Sequence, residues 1–206
     1  MTDMLRDSLQ RLPLIAILRG MKPEEAPWVL ETLVDFSILE VPLNSPRPLE
    51  SIAYLVRHAP SGVLIGAGTV LTEGQVADVA ATGAKLIIAP NCAAPVIAAA
   101  EARGLIALPG VATPTEAFAA LAAGADGLKM FPGELLPPVA VKAWRAVLPK
   151  ETLLVPTGGV TPDNVAAYRA AGADGFGIGS ALYKPGMSRD ELAQKAAAFV
   201  TAVRYS

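Results

Sequence analysis

Short apolar runs recur eight times along this chain, and they constrain its fold more than any other feature. The runs are continuously apolar, which is typical of strands in a parallel sheet that is buried on both faces. Ala-rich segments with helical periodicity separate them, and this alternation predicts βα units. The eight runs are LIAILRG (14–20), ILEVPL (38–43), VLIGAGT (63–69), KLIIAP (85–90), LIALPG (105–110), GLKMFP (127–132), TLLVPTGG (152–159) and GFGIGS (175–180).

Eight strand–helix units predict an α/β fold, a (β/α)8 or TIM barrel, with a short amphipathic helix over MTDMLRDSLQRLP before the first strand. The chain of 206 residues can bury one large core but is short for two, so we predict a single domain over residues 1–206. An open doubly wound sheet is the alternative. It is disfavoured because no GxGxxG motif follows the first strand.

Composition excludes several classes of partner. The net charge is -2 and no basic run exists, so neither nucleic acid nor an anionic membrane is predicted to bind. The apolar runs are too short to span a bilayer, and no signal peptide is evident. Cys92 is the single cysteine, which rules out an internal disulfide and fits a cytoplasmic location, and the sequence assigns it no role.

The lone histidine, His58, excludes a histidine-rich zinc site within one chain. It ends a helix-like segment, where a surface role is expected. Catalysis is therefore predicted to use Lys, Arg, Glu, Asp or backbone groups, without a metal or another cofactor.

Two charged residues interrupt apolar runs: Lys129 in GLKMFP and Glu40 in ILEVPL. The carboxyl ends of barrel strands converge on one mouth, where barrel enzymes hold their active sites. One interpretation is a buried ion pair, which would be weak evidence for any function. The other is an amine nucleophile beside a general acid/base, with the pKa of Lys129 lowered by its apolar neighbours.

Glycines end the last two predicted strands, in PTGG and GIGS. Backbone N–H groups can approach an anion where side chains are absent, and barrel phosphate sites commonly use these two loops with a helix start such as TPDN. We therefore predict a phosphate site, although the glycines could simply end the strands. Other candidate residues at the carboxyl ends of the strands are Arg19, Asn44, Ser45, Thr69, Asn91, Gly110, Thr113, Thr157, Gly158, Gly159, Gly177, Gly179 and Ser180.

Eight motifs, in order from about residue 12 to 185, resemble a known family: LPLIAILRG, LEVPLNSP, IGAGTV, LIIAPN, LPGVATPTEAF, LKMFPGE, PTGGVTPDN and GIGSALY. The family is the class I aldolases that cleave 2-keto-3-deoxy-6-phospho sugar acids to pyruvate and glyceraldehyde 3-phosphate. The resemblance implies a Schiff base at Lys129, proton transfer by Glu40, no metal and a homotrimer. It implies that the pyruvate pocket is lined by Arg19, Thr69, Pro90 and Phe131. It also implies that the phosphate is contacted by Gly158, Gly159, Gly179 and Ser180.

Two branches of this family use substrates that differ at the C4 hydroxyl. AILRG and PLNSP are similar to the phosphogalactonate branch, and Asn44 stands where phosphogluconate enzymes usually have arginine. Thr157 in PTGG is similar to the phosphogluconate branch instead, and Gly133 replaces a common Ala or Ser. The predicted activity is cleavage of the phosphogalactonate substrate. The alternatives are an aldolase that acts on the gluconate epimer or on 4-hydroxy-2-oxoglutarate, a metal-free phosphate-barrel isomerase, and a non-catalytic binding barrel.

Overall fold

The computed structural model describes residues 2–205, so Met1 and Ser206 of the predicted domain lie outside the described residues. The strands are β1 (Leu14–Ile17), β2 (Ile38–Pro42), β3 (Leu64–Gly68), β4 (Leu86–Ile88), β5 (Ile106–Leu108), β6 (Gly110–Val111), β7 (Leu128–Met130), β8 (Leu154–Pro156) and β9 (Phe176–Ile178). The helices are α1 (Thr2–Arg11), α2 (Ala26–Thr32), α3 (Pro48–His58), α4 (Glu73–Ala81), α5 (Ala94–Glu101), α6 (Pro114–Ala122), α7 (Pro138–Arg145), α8 (Val165–Ala170) and α9 (Arg189–Arg204). The predicted amino-terminal helix is present as α1.

The strands form a closed parallel barrel. One sheet has the order β5-β4-β3-β2-β1-β9 and the other β6-β7-β8. β5 and β6 are two halves of one barrel strand interrupted at Pro109, which has no N–H to donate to the ladder. A parallel bridge from Thr157 to Gly177 joins β8 to β9. The (β/α)8 prediction is confirmed, and the open doubly wound alternative is wrong.

Local sequence signals begin and end the helices. Thr72, Thr113 and Ser188 begin α4, α6 and α9 with capping boxes, in which the side-chain oxygen accepts a hydrogen bond from the backbone N–H three residues later. Glycines with positive φ follow α4, α6 and α8, as the Gly-Ala pairs predicted: Gly83 (87°), Gly124 (96°) and Gly172 (103°).

Alternation along each strand divides the core into two layers. Leu39 and Val41 of β2 face the surrounding helices, whereas Ile38 faces the barrel interior. Leu5 and Leu9 of α1 join the interior cluster, so α1 closes the amino end of the barrel. Because strand side chains alternate with a period of two, the residues two positions beyond this apolar layer point into the carboxyl end. That end is where polar side chains replace apolar ones.

The predicted surface position of His58 is confirmed. His58 is exposed at the end of α3 and stacks on Tyr54, with ring centroids 4.0 Å apart. Between residues 2 and 205, no helix is long and apolar enough to cross a membrane.

Candidate active site

Lys129 and Glu40 both point into the carboxyl end of the barrel. Lys129 is the middle residue of β7, between Leu128 and Met130, which face the helices. Glu40 follows the inward-facing Ile38 by two positions on β2. Only 5% of Lys129 and 1% of Glu40 are exposed. The strands therefore hold an amine and a carboxyl group in a largely dry interior.

The two groups are not a direct ion pair. Within residues 2–205 no ion pair joins them, and Lys129 Nζ lies more than 4.0 Å from both carboxyl oxygens of Glu40. Glu40 Oε2 has no hydrogen-bond partner in the described chain, and an unsatisfied buried acceptor is costly. A simple structural ion pair therefore does not account for the two charges.

Burial dominates the ionisation of both groups. It raises the pKa of Glu40 to about 7, against the opposing influence of Lys129 and Arg19. Burial also lowers the pKa of Lys129, which Glu40 partly offsets and Arg19 reinforces. Each shift favours the neutral form, which a lysine nucleophile needs and which lets a carboxyl group exchange protons near neutral pH. The Phe131 ring lies beside the amine, with Nζ 4.7 Å from its centroid.

Glycines make room for the inward-facing polar side chains. A Cβ added to Gly68 of β3 would lie 2.1 Å from Glu40 Oε2, and one added to Gly177 of β9 would lie 2.3 Å from Thr157 Oγ1. Real Cβ atoms essentially never approach that closely. The absence of side chains at these two positions is therefore a condition for the arrangement of Glu40 and Thr157.

Arg19 and Asn44 are joined at the mouth, after β1 and β2. Arg19 Nη1 donates a hydrogen bond of 2.9 Å to Asn44 Oδ1, and both residues are exposed. Beside them, the backbone N–H of Gly20 donates to Ser45 Oγ at 2.9 Å. These bonds hold a guanidinium group above the two buried residues, in a position to pair with a carboxylate.

Three more candidates lie on the inner wall or at its edge. Thr69 follows β3 with φ of 56°, a left-handed conformation that is unusual for a β-branched residue and typical of functional sites. Pro90 lies after the end of β4 and packs closely against β6, because a Cβ on Gly110 would lie 2.3 Å from the Pro90 carbonyl oxygen. Thr157 is buried, and its hydroxyl donates to Val155 O at 3.3 Å.

The loops after β8 and β9 offer unused backbone donors. In the part of the chain that the structure describes, the N–H groups of Gly159, Gly179 and Ser180 donate no hydrogen bond. A Cβ on Gly179 would have no neighbour within 4 Å. Clustered free N–H groups on a turn without side chains suit an anion.

Comparisons with known proteins identify the family of this chain. A family model described as "Aldolase: KDPG and KHG aldolase" matches residues 5–198. The chain belongs to this aldolase family. Aldolases are carbon–carbon lyases, so the predicted family and reaction class are confirmed.

Two similar relatives of this aldolase carry galactonate names. A probable 2-dehydro-3-deoxy-6-phosphogalactonate aldolase of Rhizobium meliloti is 52% identical over 92% of this chain and 91% of the relative. A 2-dehydro-3-deoxy-6-phosphogalactonate aldolase of Escherichia coli is 47% identical over 94% and 96%. A 2-dehydro-3-deoxy-phosphogluconate aldolase of Treponema pallidum is 33% identical over 80% and 79%.

Two solved structures share the fold of this aldolase. A "Native KDPGal structure" has a TM-score of 0.92 and 47% identity, covering 95% of this chain and 96% of that one. A KDPG aldolase from Legionella pneumophila, described with pyruvate captured as a covalent carbinolamine intermediate, has a TM-score of 0.82 and 26% identity, covering 96% and 97%.

Sequence reasoning missed one residue beside the aldolase's glycine turn, which we define as Gly158–Gly159. Glu134 lies in the one-turn 3-10 helix Gly133–Leu135, and its side chain covers the faces of both turn glycines. Gly133 itself has no room for a side chain, since a Cβ there would lie 2.3 Å from Gly158 O. The departure from Ala or Ser at residue 133 was the sequence signal for this close packing.

A cavity of about 780 Å³ lies at the opposite, amino end of the aldolase barrel. It is bounded by α1, the end of α3 and the starts of β3 and β4, and it contains none of the candidate site residues. Its size therefore does not mark the site. The buried charged groups and the strand ends do.

Proposed function

We propose that this protein is a class I aldolase that cleaves 2-keto-3-deoxy-6-phosphogalactonate to pyruvate and glyceraldehyde 3-phosphate. The observation that carries the proposal is the amine of Lys129, which points into the barrel, is 5% exposed and has a pKa lowered by burial. Burial without an ion pair favours a neutral, nucleophilic amine. The carbinolamine described for the Legionella relative supports covalent chemistry at an amine.

In the proposed mechanism, neutral Lys129 attacks the C2 ketone of the substrate to form a carbinolamine, which loses water to give an imine, and the imine takes up a proton from solvent. The protonated imine accepts the electrons of the C3–C4 bond as that bond breaks. Glu40 removes the proton of the C4 hydroxyl, which releases the aldehyde product, and then returns a proton to the pyruvate enamine. Water hydrolyses the imine and regenerates the amine. A carboxyl group with a pKa of about 7 is suited to both proton transfers.

The other candidate residues are proposed to bind the substrate. Arg19, held by Asn44, would pair with the carboxylate, because a planar guanidinium group matches a planar anion. The pocket around pyruvate would be lined by Thr69, Pro90 and Phe131. Thr157 would face the C4 region, and the free N–H groups would bind phosphate from the loops containing Gly158, Gly159, Gly179 and Ser180.

The galactonate epimer is favoured by the relatives that carry its name, at 52% and 47% identity against 33% for the gluconate relative. Two site residues point to different branches: Asn44 resembles the galactonate branch, whereas Thr157 resembles the gluconate branch. Water at a barrel mouth can satisfy a hydroxyl that the wrong epimer leaves unpaired, so we expect discrimination of only about tenfold. Cleavage of both epimers is therefore part of the proposal.

The remaining features rest on the family resemblance. We propose that the enzyme needs no metal and forms a homotrimer in the cytoplasm. The substrate and pyruvate are its small-molecule partners. Measurement of molecular mass in solution tests the trimer, and activity in the presence of a chelator tests the metal-free reaction.

Borohydride trapping tests the proposed function. Incubation with pyruvate and borohydride should add one reduced pyruvate to the wild-type chain, located by mass spectrometry of peptides at Lys129. Lys129→Met should keep the fold, lose the adduct and reduce turnover more than about a thousandfold. Lys142→Met, at an exposed position of α7, is the control and should retain both.

An adduct at another lysine, or turnover above a thousandth of wild type in the Lys129 variant, would contradict the assignment. A phosphate-barrel isomerase or a binding barrel would give no adduct with the wild-type chain.

A further inference from the structure

We propose that the carboxylate of Glu134 limits the affinity of the enzyme for the phosphate end of its ligands. The inference rests on the proposed function, because it takes the glycine turn as part of the phosphate site. The motif LKMFPGE ends at this residue, but the sequence assigned it no role. Its position against the turn points to this role.

The side chain of Glu134 lies flat on the glycine turn. A Cβ on Gly158 would lie 2.5 Å from Glu134 Oε2, and a Cβ on Gly159 would lie 3.0 Å from Glu134 Cγ. The two glycines have φ of 99° and 65°. Glu134 therefore occupies the space where side chains of Gly158 and Gly159 would be. An anion that binds the N–H groups of the turn must approach them beside the Glu134 carboxylate.

Hydrogen bonds fix both parts of this contact. The N–H of Gly133 donates to Thr157 O at 2.7 Å, which ties the backbone next to Glu134 to the end of β8. Asn164 Nδ2 donates to Gly159 O at 2.8 Å, while Asn164 Oδ1 accepts from the N–H of Thr161 at 3.0 Å. The turn cannot readily move away from Glu134, so relief of repulsion requires the glutamate side chain to rotate.

Charge decides the consequence. A phosphate monoester carries a charge of about −1.5 to −2 near neutral pH. A carboxylate a few ångströms away opposes its binding, although solvent screens the exposed Glu134. The residue therefore weakens the binding of substrate and phosphorylated product, which favours release of the aldehyde product after cleavage.

The test compares inhibition of substrate cleavage by inorganic phosphate in wild type, Glu134→Gln and Glu101→Gln. Glu101 is a matched control, since its Oε2 would lie 2.9 Å from a Cβ on Gly124, another glycine with positive φ, at the amino end of the barrel. We expect the inhibition constant for phosphate to fall about fivefold in Glu134→Gln only. The difference should shrink at high salt, which a purely structural effect would not do. Glu134→Asp keeps the charge and should stay near wild type.

An unchanged or increased inhibition constant in Glu134→Gln, or a wild-type enzyme that phosphate does not inhibit, overturns the inference. Pyruvate trapping at Lys129 is measured on the same samples and does not involve phosphate. Successful trapping with any of those inhibition results means that this inference alone has failed. Loss of trapping in the wild-type enzyme means that the proposed function has failed.

Discussion

Gly68→Ala should displace the Glu40 side chain, although it substitutes none of the proposed catalytic residues. The new Cβ would lie 2.1 Å from Oε2, 2.5 Å from Oε1 and 2.6 Å from Cδ of Glu40, where ordinary contact begins at 3.4 Å. The carboxyl group must therefore move by roughly 1 Å, and misplacement of that size can cost about 10²-fold in rate. We expect kcat to fall by about that factor, with a stability loss of about 1–3 kcal/mol from overpacking.

The assay measures glyceraldehyde 3-phosphate release at saturating substrate, together with thermal unfolding and borohydride trapping of pyruvate. Trapping should persist because Lys129 is on a different strand. Gly74→Ala is the control: its Cβ would meet only Thr72 Oγ1, at 3.9 Å, so turnover should be unchanged. A folded Gly68→Ala enzyme with kcat within threefold of wild type would refute the idea that the position of Glu40 controls proton transfer.

Three further predictions concern Glu40 and Thr157. Glu40→Gln should lower turnover by about 10²–10⁴-fold while still allowing pyruvate to be trapped, and near-normal turnover would contradict its role in proton transfer. Burial raises the pKa of Glu40 from its usual 4.5 to about 7. Between these two pH values the folded protein keeps a proton on Glu40 that the unfolded chain has released. The stability of the folded protein should therefore fall as pH rises from 4.5 to about 7. Denaturant unfolding should show a cost of up to about 3 kcal/mol above this window, and the fall should be absent in Glu40→Gln. The ratio of kcat/KM for the two C4 epimers should favour galactonate by about tenfold, and Thr157→Val should shift it further that way. A gluconate preference above a hundredfold contradicts the branch assignment, and an unchanged ratio in Thr157→Val excludes Thr157 as a C4 contact.

The sequence by itself determined the number and order of the barrel strands and which polar residues follow them. These features are local: continuous apolar runs indicate a doubly buried parallel strand, and Gly-Ala pairs end helices wherever they occur. The inward direction of Lys129 was not determined in this way, because apolar residues occupy both faces of a doubly buried strand. Motifs spread over most of the chain also identified the family before any geometry was considered.

Only the tertiary structure decided which side chains meet. It showed that Glu40 and Lys129 are not paired, that Arg19 bonds to Asn44, and that Glu134 covers the glycine turn. The structure also showed that one strand is interrupted at Pro109, and that the missing side chain of Gly68 leaves space for the Glu40 carboxyl group. Contacts between strands depend on the register and closure of the barrel. These bring together residues far apart in sequence, and no local pattern records their distances.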